Sequence, residues 1–137
     1  MSVSSYQLSL QNAIWVDVNS RFTLDNLPDR LTDSLSISNS SLFNLFNTSP
    51  GQRARTFQPE YGSLWMHFIH EPITDLTAAK MEIFMVDSIV KWEPRIQLDK
   101  QNTRITANTN LPGYEVQVAF NLPNIAGLQQ IQFQLAL

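Results

Sequence analysis

Cysteine is absent from all 137 residues, which removes disulfide frameworks, thiolate zinc sites and cysteine nucleophiles from consideration. Glycine is scarce: the four glycines at 51, 62, 113 and 127 stand too far apart for any phosphate-cradling loop. Charge is thin as well, at 15% of residues and a net of -3. The nine basic residues are scattered from Arg21 to Arg104, so no stripe tracks a phosphate backbone and no patch suits an anionic membrane. No window approaches the roughly 18 apolar residues of a membrane span. The opening MSVSSYQLSL has neither a basic leader nor a continuous apolar run, and the expectation is a soluble, intracellular protein at synthesis.

What remains is an ordinary globular composition, 43% hydrophobic, in a chain long enough for one domain with one core. From Tyr6 to Val18 the even positions are mostly apolar, which argues a half-buried strand or an extended arm. Residues 20 to 33, with Pro28 among Asp and Asn, suit a connecting loop. In DSLSISNSSLFNLFN, five serines between 34 and 41 lower helix propensity, so a helix is expected only from about Ser38. TSPGQRARTFQPEYGS reads as a structured loop, after which Ser63 is placed to cap a short helix that must stop by Glu71, ahead of Pro72.

The best-patterned helix is DLTAAKMEIFMVDSIVKW. Leu76, Ala79, Ile83, Val86 and Val90 recur at three- and four-residue steps and are expected to form its apolar face, widened by Phe84 and Ile89. Beyond Pro94 the period changes to two in RIQLD, TRITAN, YEVQVAFNL and QQIQFQLAL, with turns expected at Gln101-Asn102, Pro112-Gly113 and Ala126-Gly127. Helices followed by strands predict an α+β domain: an antiparallel sheet of about three to four strands packed with two or three helices.

Few residues suggest chemistry. His67 and His70 sit three apart without the arrangement that gives zinc two ligands and a base, and no serine lies in a nucleophile-elbow context. Glu60, Glu71, Glu93 and Asp99 are available as paired acids for glycoside hydrolysis, but their spacing does not distinguish them from surface acids. Trp15, Trp65 and Trp92 offer a stacking platform or, for Trp65 and Trp92 in particular, core. No cofactor, metal or small-molecule substrate is implied.

The step Glu93-Pro94-Arg95 is different in kind. Proline pushes Glu93 into the extended region, so the side chains of Glu93 and Arg95 project to the same side of a rigid corner. The plain reading is a helix stop with solvated or locally paired charges, worth about 0 to 1 kcal/mol when exposed. The alternative is a recognition point offering a planar fork and an acceptor to a partner. The last strand, with Gln130, Ile131, Gln132, Phe133 and Gln134, carries no charge. At a sheet edge it is open to strand addition, and in the middle of the sheet it is simply core.

Four signatures in order, the Pro50-Gly51 turn, the Pro59-Glu60-Tyr61-Gly62 corner, the Leu76-Thr77-Ala78 helix start and Glu93-Pro94-Arg95, resemble the baseplate wedge family of contractile tails, also called tail-lysozyme-like. The resemblance covers about residues 34 to 137 and implies a domain like the sheath's interlocking handshake domain; residues 1 to 33 depart from the family core and are expected to form an extended N-terminal arm. It implies a non-enzymatic virion tail baseplate subunit, assembled in the host cytoplasm, that binds other wedge proteins and the sheath subunit and starts the first sheath ring. Partner contacts then fall on Glu93, Pro94 and Arg95 and on the last strand, with no nucleic acid or membrane involved. Two other readings stand beside it: a peptidoglycan-cleaving enzyme using Glu60 or Glu93, and the equivalent subunit of a secretion or injection machine.

Overall fold

A computed structural model describes residues 14–18, 30–33, 37–52, 57–123 and 125–136. Near the N-terminus, β1 (Val16–Val18) pairs antiparallel with β2 (Arg30–Thr32), Val16 opposite Thr32. Asp33 closes this pair from a left-handed backbone with φ of 44°, which aspartate tolerates better than most residues. Its carboxylate accepts from the N–H of Ile14 (3.1 Å) and of Trp15 (3.3 Å), and its own N–H donates to the Trp15 carbonyl at 2.9 Å. The loop expected over 20 to 33 is therefore corrected at 30 to 32, where a partner distant in sequence supplies the ladder. The alternating stretch is a strand at Val16–Val18, and its earlier part, from Tyr6 to residue 13, lies outside the described residues.

The serine-rich segment winds as a π-helical stretch, Ile37–Leu42, and tightens into α1 (Phe43–Asn47). Ile37, Leu42, Leu45 and Phe46 from this unit are buried in the core. The loop that follows is pinned by two backbone bonds, Gly51 N–H to the Pro59 carbonyl (2.7 Å) and Ser63 N–H to the Thr48 carbonyl (2.9 Å). Gly62, at φ 136°, passes so close to Thr48 that a β-carbon would strike its carbonyl oxygen, which explains the glycine at that corner. The short helix is a 3₁₀ turn, Trp65–His70, and Glu71 is extended ahead of Pro72 as expected. The expected cap is corrected: the helix starts from Leu64 without a side-chain cap, and Ser63 is instead buried, its hydroxyl accepting from Ser88 at 2.9 Å and tying the loop to the long helix.

That long helix, α2 (Asp75–Trp92), starts at Thr74, whose hydroxyl accepts from the Thr77 N–H at 3.2 Å. Its buried residues are Thr77, Ala78, Met81, Met85, Ser88 and Ile89. The expected apolar face is thus corrected in its main stripe, while Ile89 and Phe84, expected to widen it, do pack on the core. Leu76, Ile83 and Val90 are 68%, 67% and 56% exposed, and the helix packs through the opposite side. The periodicity was real, but α2 carries two apolar stripes, and spacing does not say which of two stripes meets the sheet.

The sheet centres on β5 (Gly113–Leu122). One side of β5 takes both β3 (Gln97–Leu98) and β4 (Arg104–Asn108), and the other takes β6 (Ile125–Ala136), all antiparallel. Between β3 and β4 the Thr103 hydroxyl replaces a ladder bond, accepting from the Ala119 N–H at 3.1 Å. The turn expected at Ala126-Gly127 is corrected: β5 and β6 turn between Leu122 and Ile125 after Pro123. Gly127 lies inside β6 at φ 102°, where two steps of β5 face four of β6 in a bulge. Val116, Val118 and Phe120 of β5, Ile105 of β4, and Met81, Met85 and Ile89 of α2 form the core with Trp65 and Tyr114.

Candidate functional site

α2 ends where Glu93 is held extended by Pro94, and the Glu93 and Arg95 side chains do lie together. The Arg95 Nε–H donates to Glu93 Oε1 at 2.5 Å and one terminal nitrogen donates to Oε2 at 2.9 Å, a bidentate fork. A third member, 52 residues away on the π-helical turn, completes the cluster: the Ser41 hydroxyl donates to Glu93 Oε2 at 2.5 Å and accepts from Arg95 at 2.6 Å. Glu93 is only 5% exposed, whereas Arg95 keeps 31% of its side chain in solvent. The Trp15 ring lies 6.0 Å from the guanidinium. The hydrogen bonding of Arg95 to Glu93, the charge of Glu93 and that of Asp17 hold the Arg95 pKa above its ordinary value, against the opposing effect of burial. The corner is a locked ionic cluster that presents Pro94 and the outer part of Arg95, while the Glu93 carboxylate faces its own chain.

Both margins of the sheet can be read in the same way. On β4, Ile105 directs its N–H away from β5 and onto Glu82 Oε2 of α2 at 3.2 Å, so a helix side chain occupies that edge. By the alternation of an antiparallel ladder, Val116, opposite Ile105, turns its backbone groups to β6, and Phe133 returns them. Gln130, Gln132 and Gln134 then aim their N–H and C=O groups off the far side of β6, where no described strand pairs. The side chains alternate as well. Ile131 and Phe133 turn inward, Phe133 against Trp65 at 6.1 Å, and the three glutamines face outward. Gln132 and Gln134 join Arg104, Thr106, Glu115 and Gln117 around a shallow groove of about 610 Å³. With no charge and no proline from Ile125 to Ala136, β6 carries none of the usual blocks to pairing.

The remaining candidates are dispersed. His67 and His70 are both exposed, and among the described residues no three metal-ligating side chains come together. Asp99 accepts from the Asn102 side chain (2.7 Å) and from two loop N–H groups, which hold its pKa below the usual carboxylate range, opposite to what a general acid requires. Glu71 pairs with Lys80 at 3.3 Å and Glu60 stands exposed in its loop. Trp65 is core, its indole N–H donating to the Phe46 carbonyl at 3.1 Å, and Trp92 packs on Tyr61. Ser41 and Glu82 are the participants that spacing could not reveal, because each reaches its partner only through the fold; Trp15, a candidate for stacking, meets the Arg95 guanidinium.

Residues 36–122 match the family of baseplate wedge protein gp25. The chain belongs to that family. Among solved structures it is similar to a Geobacter sulfurreducens protein designated a tail lysozyme, with a TM-score of 0.61 and 17% identity over 78% of this chain and 94% of that one. It is also similar to a chain of the post-contraction baseplate of pyocin R2, with a TM-score of 0.53 and 17% identity over 89% of this chain and 98% of that one. At such identity both likenesses speak to the fold alone. No curated protein matches the chain. Membership in the gp25 family gives this baseplate wedge protein a structural role within a tail baseplate.

Proposed function

We propose that this wedge protein joins the wedge core of a contractile-tail baseplate to the first ring of the sheath, without catalysing a reaction. The observation that carries this reading is the asymmetry of the sheet: Glu82 occupies the β4 edge, and β6 is left long, uncharged and unpaired among the described residues. A strand from a sheath subunit added along residues 130–134 completes the sheet through backbone bonds. The Glu93-Pro94-Arg95 corner supplies a second contact, in which Glu93 orients the guanidinium from within and Pro94 with the exposed part of Arg95 meets the neighbour. The site of action is then the virion tail baseplate, with assembly in the host cytoplasm; the equivalent place in a secretion or injection machine uses the same surfaces.

The ladder supplies its own test. Gln132→Pro removes an N–H that points off the sheet, whereas Phe133→Pro removes one that binds β5. Gln132→Pro is expected to stay folded, judged by its circular dichroism and melting curve, and to leave baseplates unable to start sheath polymerisation. Phe133→Pro is expected to unfold. Sheaths starting at the normal rate on Gln132→Pro baseplates refute strand addition at β6. Against the lysozyme reading, the purified protein is expected to leave peptidoglycan suspensions turbid; clearing that Glu60→Gln or Glu93→Gln abolishes in a folded protein refutes the non-enzymatic role.

A further inference from the structure

The exposed stripe of α2 is the feature that neither the fold nor the sheet edge uses. Leu76, Ala79, Ile83, Val86 and Val90 follow alternating steps of three and four, the first and fourth positions of a heptad, and they lie opposite the face that packs on the sheet. Leu76, Ile83 and Val90, one heptad apart, expose more than half of their surface. A globular domain has no internal use for a second apolar seam on a helix already seated on its core. A seam of this period matches the ridge of another helix better than it matches a strand, whose side chains repeat every two residues.

We propose that this stripe docks an amphipathic helix from a different baseplate subunit, an inference that rests on the structural role proposed above and extends it to a second surface. Two observations choose the occupant. From Leu76 to Val90 the seam runs about 21 Å, and at a helix width of about 10 Å it covers roughly 200 Å², well short of the roughly 800 Å² per partner of a stable two-chain interface. A second copy held by this seam alone does not associate stably, whereas a neighbour held by further contacts in an assembly can use it. Charge then describes that neighbour. At 100° per residue, Lys80, Asp87 and Lys91 line one flank and Asp75 and Glu82 the other, Lys80 being drawn to Glu71 and Glu82 back to the β4 edge. The docked helix presents apolar residues at three- and four-residue spacing, and opposite the first flank it carries a base facing Asp87 and an acid facing Lys91.

The test uses assembled particles. With a photo-crosslinking benzoylphenylalanine at position 83, irradiated baseplates are digested and the joined peptides sequenced. The expected product links this position to a segment of another baseplate protein with heptad apolar spacing. Linkage only to a second copy of this chain, linkage to an alternating strand-like segment, or no linkage in particles that contain the protein overturns the proposal. In parallel, Ile83→Asp is expected to melt as the parent does and to enter baseplates about tenfold less, while Ile83→Leu enters within about twofold. If the parent protein is itself absent from baseplates, the structural reading fails; if the parent is present and Ile83→Asp enters equally well, the stripe alone is refuted.

Discussion

At the scale of single residues, the structure raises the stakes at Arg95. An exposed ion pair is worth little, but Glu93 is 5% exposed and two of its three side-chain hydrogen bonds come from Arg95. Arg95→Ala strands that carboxylate with Ser41 as its remaining side-chain donor and is expected to cost about 2 to 4 kcal/mol in urea unfolding. The pair Glu93→Leu with Arg95→Met is expected to recover most of that loss, because the charge and its counter-charge leave together. Tyr114 makes the opposite case: its hydroxyl is buried without a hydrogen-bond partner among the described residues, and burial pushes its pKa up, so the phenol stays neutral at physiological pH. Tyr114→Phe removes an unsatisfied group while keeping the ring, and its melting temperature is expected to equal or exceed that of the parent.

At the scale of elements, α2 shows what periodicity can and cannot say. Its two apolar stripes differ in composition: Ala78, Met81, Met85 and Ile89 turn to the core together with Thr77 and Ser88, while Leu76, Ile83 and Val90 turn to solvent with Ala79 between them. A ranking by hydrophobicity therefore picks the wrong side, and only the shape of the sheet surface selects the flexible methionines that fill it. The expected consequence is measurable. Met85→Ala, at a fully buried site, should destabilise by about 2 to 5 kcal/mol, whereas Ile83→Ala on the exposed stripe should stay within about 0.5 kcal/mol. The strands were easier. All four stretches with period two after Pro94 became β3 to β6, because alternation has a single meaning once one face is covered. Only the start of β6 was misplaced, since the bulge at Gly127 looks in sequence like a turn.

For the whole molecule, the core is assembled from Ile37 onward, and among the described N-terminal residues Trp15 alone packs against it. We propose that residues 34–137 fold as one unit and that residues 1–33 are an attachment arm. A chain beginning at residue 34 is expected to keep its near-ultraviolet circular dichroism and a cooperative melt, lowered by a few degrees through the loss of Trp15 over Arg95; a molten, non-cooperative transition counts against that boundary.

Local features were legible in the residues alone: the class of the fold, most of its helix and strand segments, the stop at Pro72, the break at Pro94, and a set of short motifs that point to the gp25 family. These follow from backbone restriction and side-chain period, which act over a few residues. Only tertiary structure decided that β6 is an edge, that Glu82 closes the opposite margin, that Ser41 locks Glu93 to Arg95 and that the more strongly apolar stripe of α2 faces outward. The Ser41 and Glu82 contacts join segments more than 20 residues apart in the chain, and strand order and the choice of stripe select among arrangements of equal periodicity; such choices are made by packing, where the whole set of surfaces competes for one core.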